Sequence, residues 1–314
     1  MSIGLLFPGQ GAQSVGMGAE LTARSRVACE LFELASQTLG FDLLKLCTEG
    51  PAEQLNRTEF SQPALFVHAL AALRLLEEER PELWTDVAAV AGLSLGEYTA
   101  VCAAGGISFE AGVRLVQLRG RAMQAAADAV SSGMSSILGL EQDALATICQ
   151  QATNDCPATA DPVTQGGSPM VRVANLLCPG NIAISGHIAA LQIAEELSIQ
   201  AGAFKTVRLQ VAGAFHTPVM QPAVQKLSEA LKTVEFQTTR VPIYSNVDAA
   251  PHSQPDEFRR LLSQQVVEPV QWQASLESMI AAGCERFIEV GSGRVLSGTL
   301  KRINRKIACE NIGD

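Results

Sequence analysis

VAAVAGLSLGEYTAVCAA, residues 87–104, decides the fold. Its first seven residues form an apolar run of the kind that fills a strand buried on both faces. Directly after Ser94 the texture turns helical. A buried strand feeding straight into a helix is the building unit of an open α/β sheet. At the junction, Gly92-Leu93-Ser94-Leu95-Gly96 fits G-x-S-x-G, whose small flanking residues let the chain turn sharply and present the serine at the helix N-terminus. The pattern alone is common, and a serine capping a helix is the plain alternative. The strand before it and the amphipathic helix after it favour a nucleophile.

Working toward the N-terminus, IGLLF at 3–7 reads as a first strand running into the glycine-rich turn PGQGAQ. Helical periodicity follows at 27–46 and 62–79. Beyond the junction a helix over 110–127 carries Arg114, Arg119 and Arg121. From 128 the texture changes: MSSILGL, VRVANLL, NIAISG and FKTVRLQV read as strands, with EQDALATICQQ and IAALQIAEELSIQAG as helices among them. That order, β-α-β-β-α-β over about 80 residues, predicts a ferredoxin-like subdomain. The polar stretch 151–169 within it reads as a surface loop. After 213 come a helix over 218–232, the strand PIYSN, two helices, the strand RFIEV and a last helix.

At 314 residues, with 47% hydrophobic and 18% charged residues, the chain can bury a large core. A formal net charge of −9 removes the basic footprint a nucleic-acid binder needs and disfavours anionic lipid surfaces. No apolar run reaches the roughly 18 residues of a membrane span, and the N-terminus lacks the charged start of a signal peptide. A soluble, cytoplasmic monomer is expected. Eight cysteines without a C-x-x-C pair read as reduced core residues.

A serine nucleophile needs a base, and there are four histidines to choose from. His68 lies in an apolar helical run, His187 near a helix start and His252 in a polar loop. His216, in VAGAFHTPV, follows a predicted strand and precedes Pro218, a good first helical residue, so it is expected at a strand's carboxyl end, where α/β active sites gather. No carboxylate between Ser94 and His216 reads as the usual third partner, so a backbone carbonyl is the candidate to orient the imidazole. PGQGAQS lacks the third glycine of G-x-G-x-x-G, because position 14 is serine, which argues against a dinucleotide site.

FPGQGAQ, GLSLGEY, LVQLRGRAMQ, AFHTPVMQPA, YSNVDA, EPVQW and EVGSGRVLSGTLKRI, in that order, resemble the malonyl-CoA:acyl carrier protein transacylases of bacterial fatty acid synthesis and the related acyltransferase domains of polyketide synthases. The likeness covers nearly the whole chain. It implies an α/β-hydrolase-like core with a mostly parallel sheet, built from 1–127 and 206–314, and a ferredoxin-like insert at 128–205. It implies a ping-pong transfer from malonyl-CoA to the phosphopantetheine thiol of acyl carrier protein, with no metal or other cofactor. By motif, Ser94 would be the malonylated nucleophile, His216 the base and the main-chain carbonyl of Gln265 its orienting partner. The backbone N–H groups of Gln10 and Leu95 would form the oxyanion hole.

Arg119 would pair with the free malonyl carboxylate, although on sequence alone it could equally be a solvated helix residue. Phe215 would crowd an α-methyl group and so favour malonyl over methylmalonyl. Asn175 would touch substrate. Lys301 and Arg302 would receive the carrier, the plain alternative being a solvated basic helix end. One departure stands out: Leu93 replaces the histidine that usually precedes the nucleophile. Alternatives are a serine thioesterase or esterase, an acyltransferase serving a polyketide synthase or malonate decarboxylase, and a catalytically idle carrier-binding module. A free-standing chain leans toward fatty acid synthesis.

Overall fold

The computed structural model describes residues 2–157 and 169–313. Most of the predicted polar loop 151–169 therefore lies outside the described residues, and its first five residues are instead the end of the helix Gln142–Asp155. Among the described residues ten strands form two sheets. The first is built from β1 (Ile3–Phe7), β2 (Val87–Gly92), β7 (Ile243–Tyr244), β8 (Pro251–His252), β9 (Arg286–Val290) and β10 (Ala308–Ile312). Their spatial order is β10-β9-β1-β2-β7-β8, and every pairing is parallel except β7 with β8. Parallel sheets are covered on both faces, which is why IGLLF is buried at all five positions. Ile3, Leu5 and Phe7 face the larger core, with the helices Arg26–Leu39, Thr58–Glu79 and Phe109–Asp128. Leu6 points the other way, toward Trp272, Leu276 and Leu296.

The second sheet comprises β3 (Ser132–Leu138), β4 (Val171–Cys178), β5 (Asn181–His187) and β6 (Lys205–Arg208) in the order β4-β5-β3-β6. All its pairings are antiparallel. The helices Gln142–Asp155 and Ile188–Gln200 bury Leu145, Ile148, Leu191 and Ala194 against one face. From its other face Met134, Ala174 and Ala183 join the larger core. A backbone clasp ties the sheets' surroundings together: Leu176 N–H donates to Val270 O over 2.9 Å, and Val270 N–H to Ala174 O over 2.8 Å.

Because β1, β2, β7 and β9 run parallel, their carboxyl ends share one edge of the sheet. The turns that leave them begin at Pro8, Leu93, Ser245 and Gly291. This is the edge where sites of open α/β sheets form. The turn after β2 needs both its glycines. A Cβ on Gly92 would lie 1.9 Å from the Gly96 carbonyl carbon, and one on Gly96 would lie 2.1 Å from the Phe7 carbonyl oxygen. The helix Leu95–Ala103 can cross this close to β1 and β2 only without side chains there.

Several elements differ from the sequence reading. β8, which holds His252, and β10 are strands where none is predicted. The segment before His216 is irregular: β6 ends at Arg208 and belongs to the second sheet. His216 therefore reaches the edge of the main sheet on a loop, with φ of 60°, and not from a strand end. Among the described residues no helix is long and apolar enough to cross a membrane, and no group of acidic, histidine or cysteine side chains is placed to hold a metal. Cys47, Cys149, Cys156, Cys178 and Cys284 are buried.

Candidate active site

Ser94 stands between β2 and the helix Leu95–Ala103 with φ 51° and ψ −101°. A non-glycine residue held there carries backbone strain of about 1–3 kcal/mol, which the surrounding contacts must offset. In return the hydroxyl projects from the turn toward His216. Ser94 Oγ lies 2.9 Å from His216 Nε2, and His216 Nδ1 lies 2.8 Å from the Gln265 main-chain oxygen. A carbonyl can only accept, so Nδ1 carries the proton. The neutral ring then leaves Nε2 bare to accept from the serine. The missing carboxylate of the sequence is thus replaced by a backbone carbonyl at the C-cap of the helix Pro255–Gln264.

Burial, and then the positive charge of Arg119, lower the His216 pKa to about 4. The ring is neutral at physiological pH, as a proton acceptor must be. Arg119 is 1% exposed. It lies on the buried stripe of its helix with Gly112, Leu115, Val116 and Met123, while Arg114 and Arg121 are exposed. Its Nη2 donates to Ser94 Oγ over 3.1 Å and to Gln265 Oε1 over 2.9 Å, and its guanidinium carbon lies 5.0 Å from the centre of the Tyr98 ring. Nε is buried and has no hydrogen-bond partner among the described residues. A buried cation with an unused donor is a site for an anion.

Beneath Ser94 lies a polar frame of which the sequence named only Gln265, and that for its carbonyl. Glu97 is 2% exposed, and burial raises its pKa to about 7 against the hydrogen bonds it accepts from its neighbours. Gln265 Nε2 donates to Glu97 Oε2 over 2.6 Å and to Ser94 O over 2.8 Å. The Asn246 side chain joins Ser94 N–H to the Gly92 carbonyl. GLSLGEY contains Glu97 and YSNVDA contains Asn246, but a polar residue inside a motif does not by itself reveal which neighbours it meets.

The remaining predicted residues fall in three places. Gln10, Leu93, Asn175 and Phe215 line the same cleft as Ser94, Arg119 and His216, with Met134, Leu209 and Val211 closing it from the side of the second sheet. The Leu95 side chain is packed in the core, so only its backbone faces the turn. As the first residue of its helix, its N–H has no intrahelical acceptor. Lys301 and Arg302 are exposed in the last turn of the helix Val295–Ile303, and Arg302 Nη2 donates to the Pro179 carbonyl over 3.0 Å. Leu93 is 9% exposed and packs in the apolar cluster on the other sheet face, so the position gives the cleft an apolar wall.

The other histidines are engaged elsewhere. His68 is buried in the helix Thr58–Glu79, and His187 Nδ1 accepts from Met170 N–H over 3.0 Å. His252 is not loose in solvent: its side chain is 11% exposed and lies between Asp248 and Glu257.

A strained serine at a strand-to-helix turn, a neutral imidazole on its hydroxyl and a buried arginine beside it give the cleft the makeup expected of a serine acyltransferase. The chain belongs to the acyl transferase domain family, whose model matches residues 5–308. A mitochondrial malonyl-CoA-acyl carrier protein transacylase of Mus musculus is 40% identical over 306 residues, covering 96% of this chain and 79% of the mouse protein. A malonyl CoA-acyl carrier protein transacylase of Bacillus subtilis is 39% identical over 314 residues, covering 99% of this chain and 93% of its own. The crystal structure of an acyl-carrier-protein-S-malonyltransferase from Bartonella henselae superposes with a TM-score of 0.92 at 36% identity, covering 100% of this chain and 96% of that one.

Proposed function

We propose that this protein transfers the malonyl group of malonyl-CoA to the phosphopantetheine thiol of acyl carrier protein, through a malonyl-Ser94 intermediate. The observation that carries the reading is the convergence of Arg119 and His216 on one hydroxyl oxygen, at 3.1 and 2.9 Å. A nucleophile whose base stands beside a buried cation is built for an acyl group that itself bears a negative charge. Relatives named for malonyl transfer, matched along the whole chain, support the same substrate.

In the first half-reaction Ser94 Oγ bonds to the thioester carbonyl carbon while its proton passes to His216 Nε2. The C–S bond then breaks, and His216 returns the proton to the leaving CoA sulfur. In the second half the carrier's thiol gives its proton to His216, its sulfur attacks the malonyl ester, and Ser94 recovers the proton. The negative oxygen formed in each half would be met by the backbone N–H groups of Gln10 and Leu95. The Gln265 carbonyl keeps the imidazole in the tautomer both steps need.

Arg119 would take the malonyl carboxylate with two parallel bonds, using the Nε donor that has no partner among the described residues. Asn175, whose buried Oδ1 also lacks a partner among the described residues, supplies a polar contact across the cleft. Phe215 would crowd an α-methyl substituent. Lys301 and Arg302 supply the basic patch that an acidic carrier needs on a chain of net charge −9.

The architecture fits an α/β-hydrolase-like core, 1–127 and 206–314, with a ferredoxin-like insert at 128–205. Supporting the insert are the order β4-β5-β3-β6, the all-antiparallel pairing and a helix in each of the two crossover connections. The test of function is malonyl-CoA turnover with and without carrier protein. Malonyl-carrier formation that outruns release of free malonate supports transfer, and equally fast release of malonate without carrier would make the protein a hydrolase.

A further inference from the structure

We infer that Asn246 is a positioning residue that sets the Ser94 turn for acyl transfer, an inference that rests on Ser94 being the acyl acceptor. Asn246 follows β7 and is completely buried. Its Oδ1 accepts from Ser94 N–H over 2.7 Å, and its Nδ2 donates to the Gly92 carbonyl over 2.8 Å. Those two backbone groups flank Leu93, so one amide closes across the tightest part of the turn. The orientation of the amide is settled by its partners, since a backbone N–H can only donate and a carbonyl can only accept.

Asn246 is itself held in place. Its N–H donates to Glu97 Oε2 over 3.2 Å, its carbonyl accepts from Gln271 N–H over 2.8 Å, and Gln265 Nε2 lies 3.4 Å from its Oδ1. The consequence follows from peptide planarity. Asn246 fixes the plane between Leu93 and Ser94 through the Ser94 N–H. The Gln265 side chain fixes the next plane by donating to Ser94 O over 2.8 Å. With that carbonyl turned toward Gln265, the Leu95 N–H on the same plane is turned the opposite way. The direction of Ser94 Oγ therefore depends on Asn246 and that of the adjacent N–H donor on Gln265, which Asn246 meets at 3.4 Å, and both side chains lie outside the cleft lining.

Two variants test this. Asn246→Ala removes both bonds. Asn246→Asp keeps an acceptor for Ser94 N–H but sets a second oxygen against the Gly92 carbonyl until it is protonated, which burial favours by raising its pKa. Malonyl-Ser94 formation from malonyl-CoA is followed by rapid quenching and intact-mass spectrometry, alongside steady-state kcat and KM. For Asn246→Ala we expect acylation and kcat lower by roughly 10²-fold with KM for malonyl-CoA nearly unchanged, because the nucleophile is misaimed while the substrate grip is intact. For Asn246→Asp we expect the rate relative to the native protein to rise by about tenfold as pH falls from about 8 to about 6, as the added carboxyl becomes neutral. A general packing defect gives no such pH-dependent recovery.

An Ala variant acylated at close to the native rate, or a loss confined to KM, would overturn the inference. If Asn246→Ala does not fold, the Asp variant decides, and a rate ratio flat with pH would overturn it. A native protein that acquires no malonyl group on Ser94 removes the underlying reading instead, so the two failures are distinguishable.

Discussion

Arg119 donates a hydrogen bond to Ser94: Nη2 lies 3.1 Å from Oγ. The cation that would hold one end of a malonyl group thus sits within a hydrogen bond of the atom that would attack the other end. Substituting Arg119 should therefore act on substrate choice as well as on rate. We predict that Arg119→Ala lowers kcat/KM for malonyl-CoA by roughly 10²-fold, the scale of a charged hydrogen-bonding pair, and lowers acetyl-CoA turnover much less. Competition between the two thioesters measures it. An equal loss for both would assign Arg119 to the chemistry and not to selection.

With His216 as the base, its low pKa would set the acid limb of the rate. The base must be neutral, so the activity should persist below pH 6.5 and fall only as pH approaches about 4. A kcat/KM profile that fell with an ordinary histidine pKa would contradict the burial argument. His216→Ala should reduce acylation of Ser94 by about 10²–10⁴-fold, the range of general-base contributions.

His216 and Glu97 oppose each other in stability. His216 is depressed from 6.5 to about 4, so its contribution is fully present above 6.5 and is lost as pH falls through about 4. Glu97 is raised from 4.5 to about 7, so its contribution is fully present below 4.5 and is lost as pH rises through about 7. The windows overlap, and the two trends offset each other there. Glu97→Gln keeps an acceptor for Gln265 and Asn246 but removes one trend. We predict that this variant loses more stability than the native protein as pH falls from about 6.5 to 4.5, and gains relative to it at pH above 7. Denaturant melts across that range check the sign.

Phe215 is 5% exposed and lies beside the base on the cleft wall. Phe215→Ala should raise the methylmalonyl-to-malonyl ratio of kcat/KM by at most about 10–200-fold, since excluding one methyl by packing contributes about 1–3 kcal/mol. An unchanged ratio would place the selectivity elsewhere.

Lys301 and Arg302 are not equivalent tests of carrier docking. Arg302 also holds the Pro179 carbonyl, between β4 and β5, so reversing it disturbs the second sheet as well. Lys301→Glu is the cleaner probe. It should raise KM for the carrier severalfold, an effect that salt weakens, and leave KM for malonyl-CoA unchanged. No change in the carrier constant would remove Lys301 from the docking patch.

What could be read from the sequence follows burial. IGLLF and VAAVAGL announce themselves because strands covered on both faces are apolar throughout, and the glycines around Ser94 mark a turn with no room for side chains. β10, ACENI, is a partly buried edge strand with no clear period, and β8 is two residues long, so neither carries a signal. His216 was found for an incomplete reason, since a loop and not a strand delivers it. Arg119 could have been recognised without any resemblance: it interrupts an apolar helical stripe, whereas Arg114 and Arg121 do not. The frame of Glu97, Asn246 and Gln265 joins residues as far as 168 positions apart, and only the fold brings them together.

The central claim is that Ser94 carries a malonyl group, and intact-mass spectrometry after brief exposure to malonyl-CoA tests it most directly. We predict one malonyl adduct on the native protein, discharged by carrier protein bearing a free phosphopantetheine thiol and absent from Ser94→Ala. A native protein that gains no adduct, or an adduct that persists in Ser94→Ala, would contradict it.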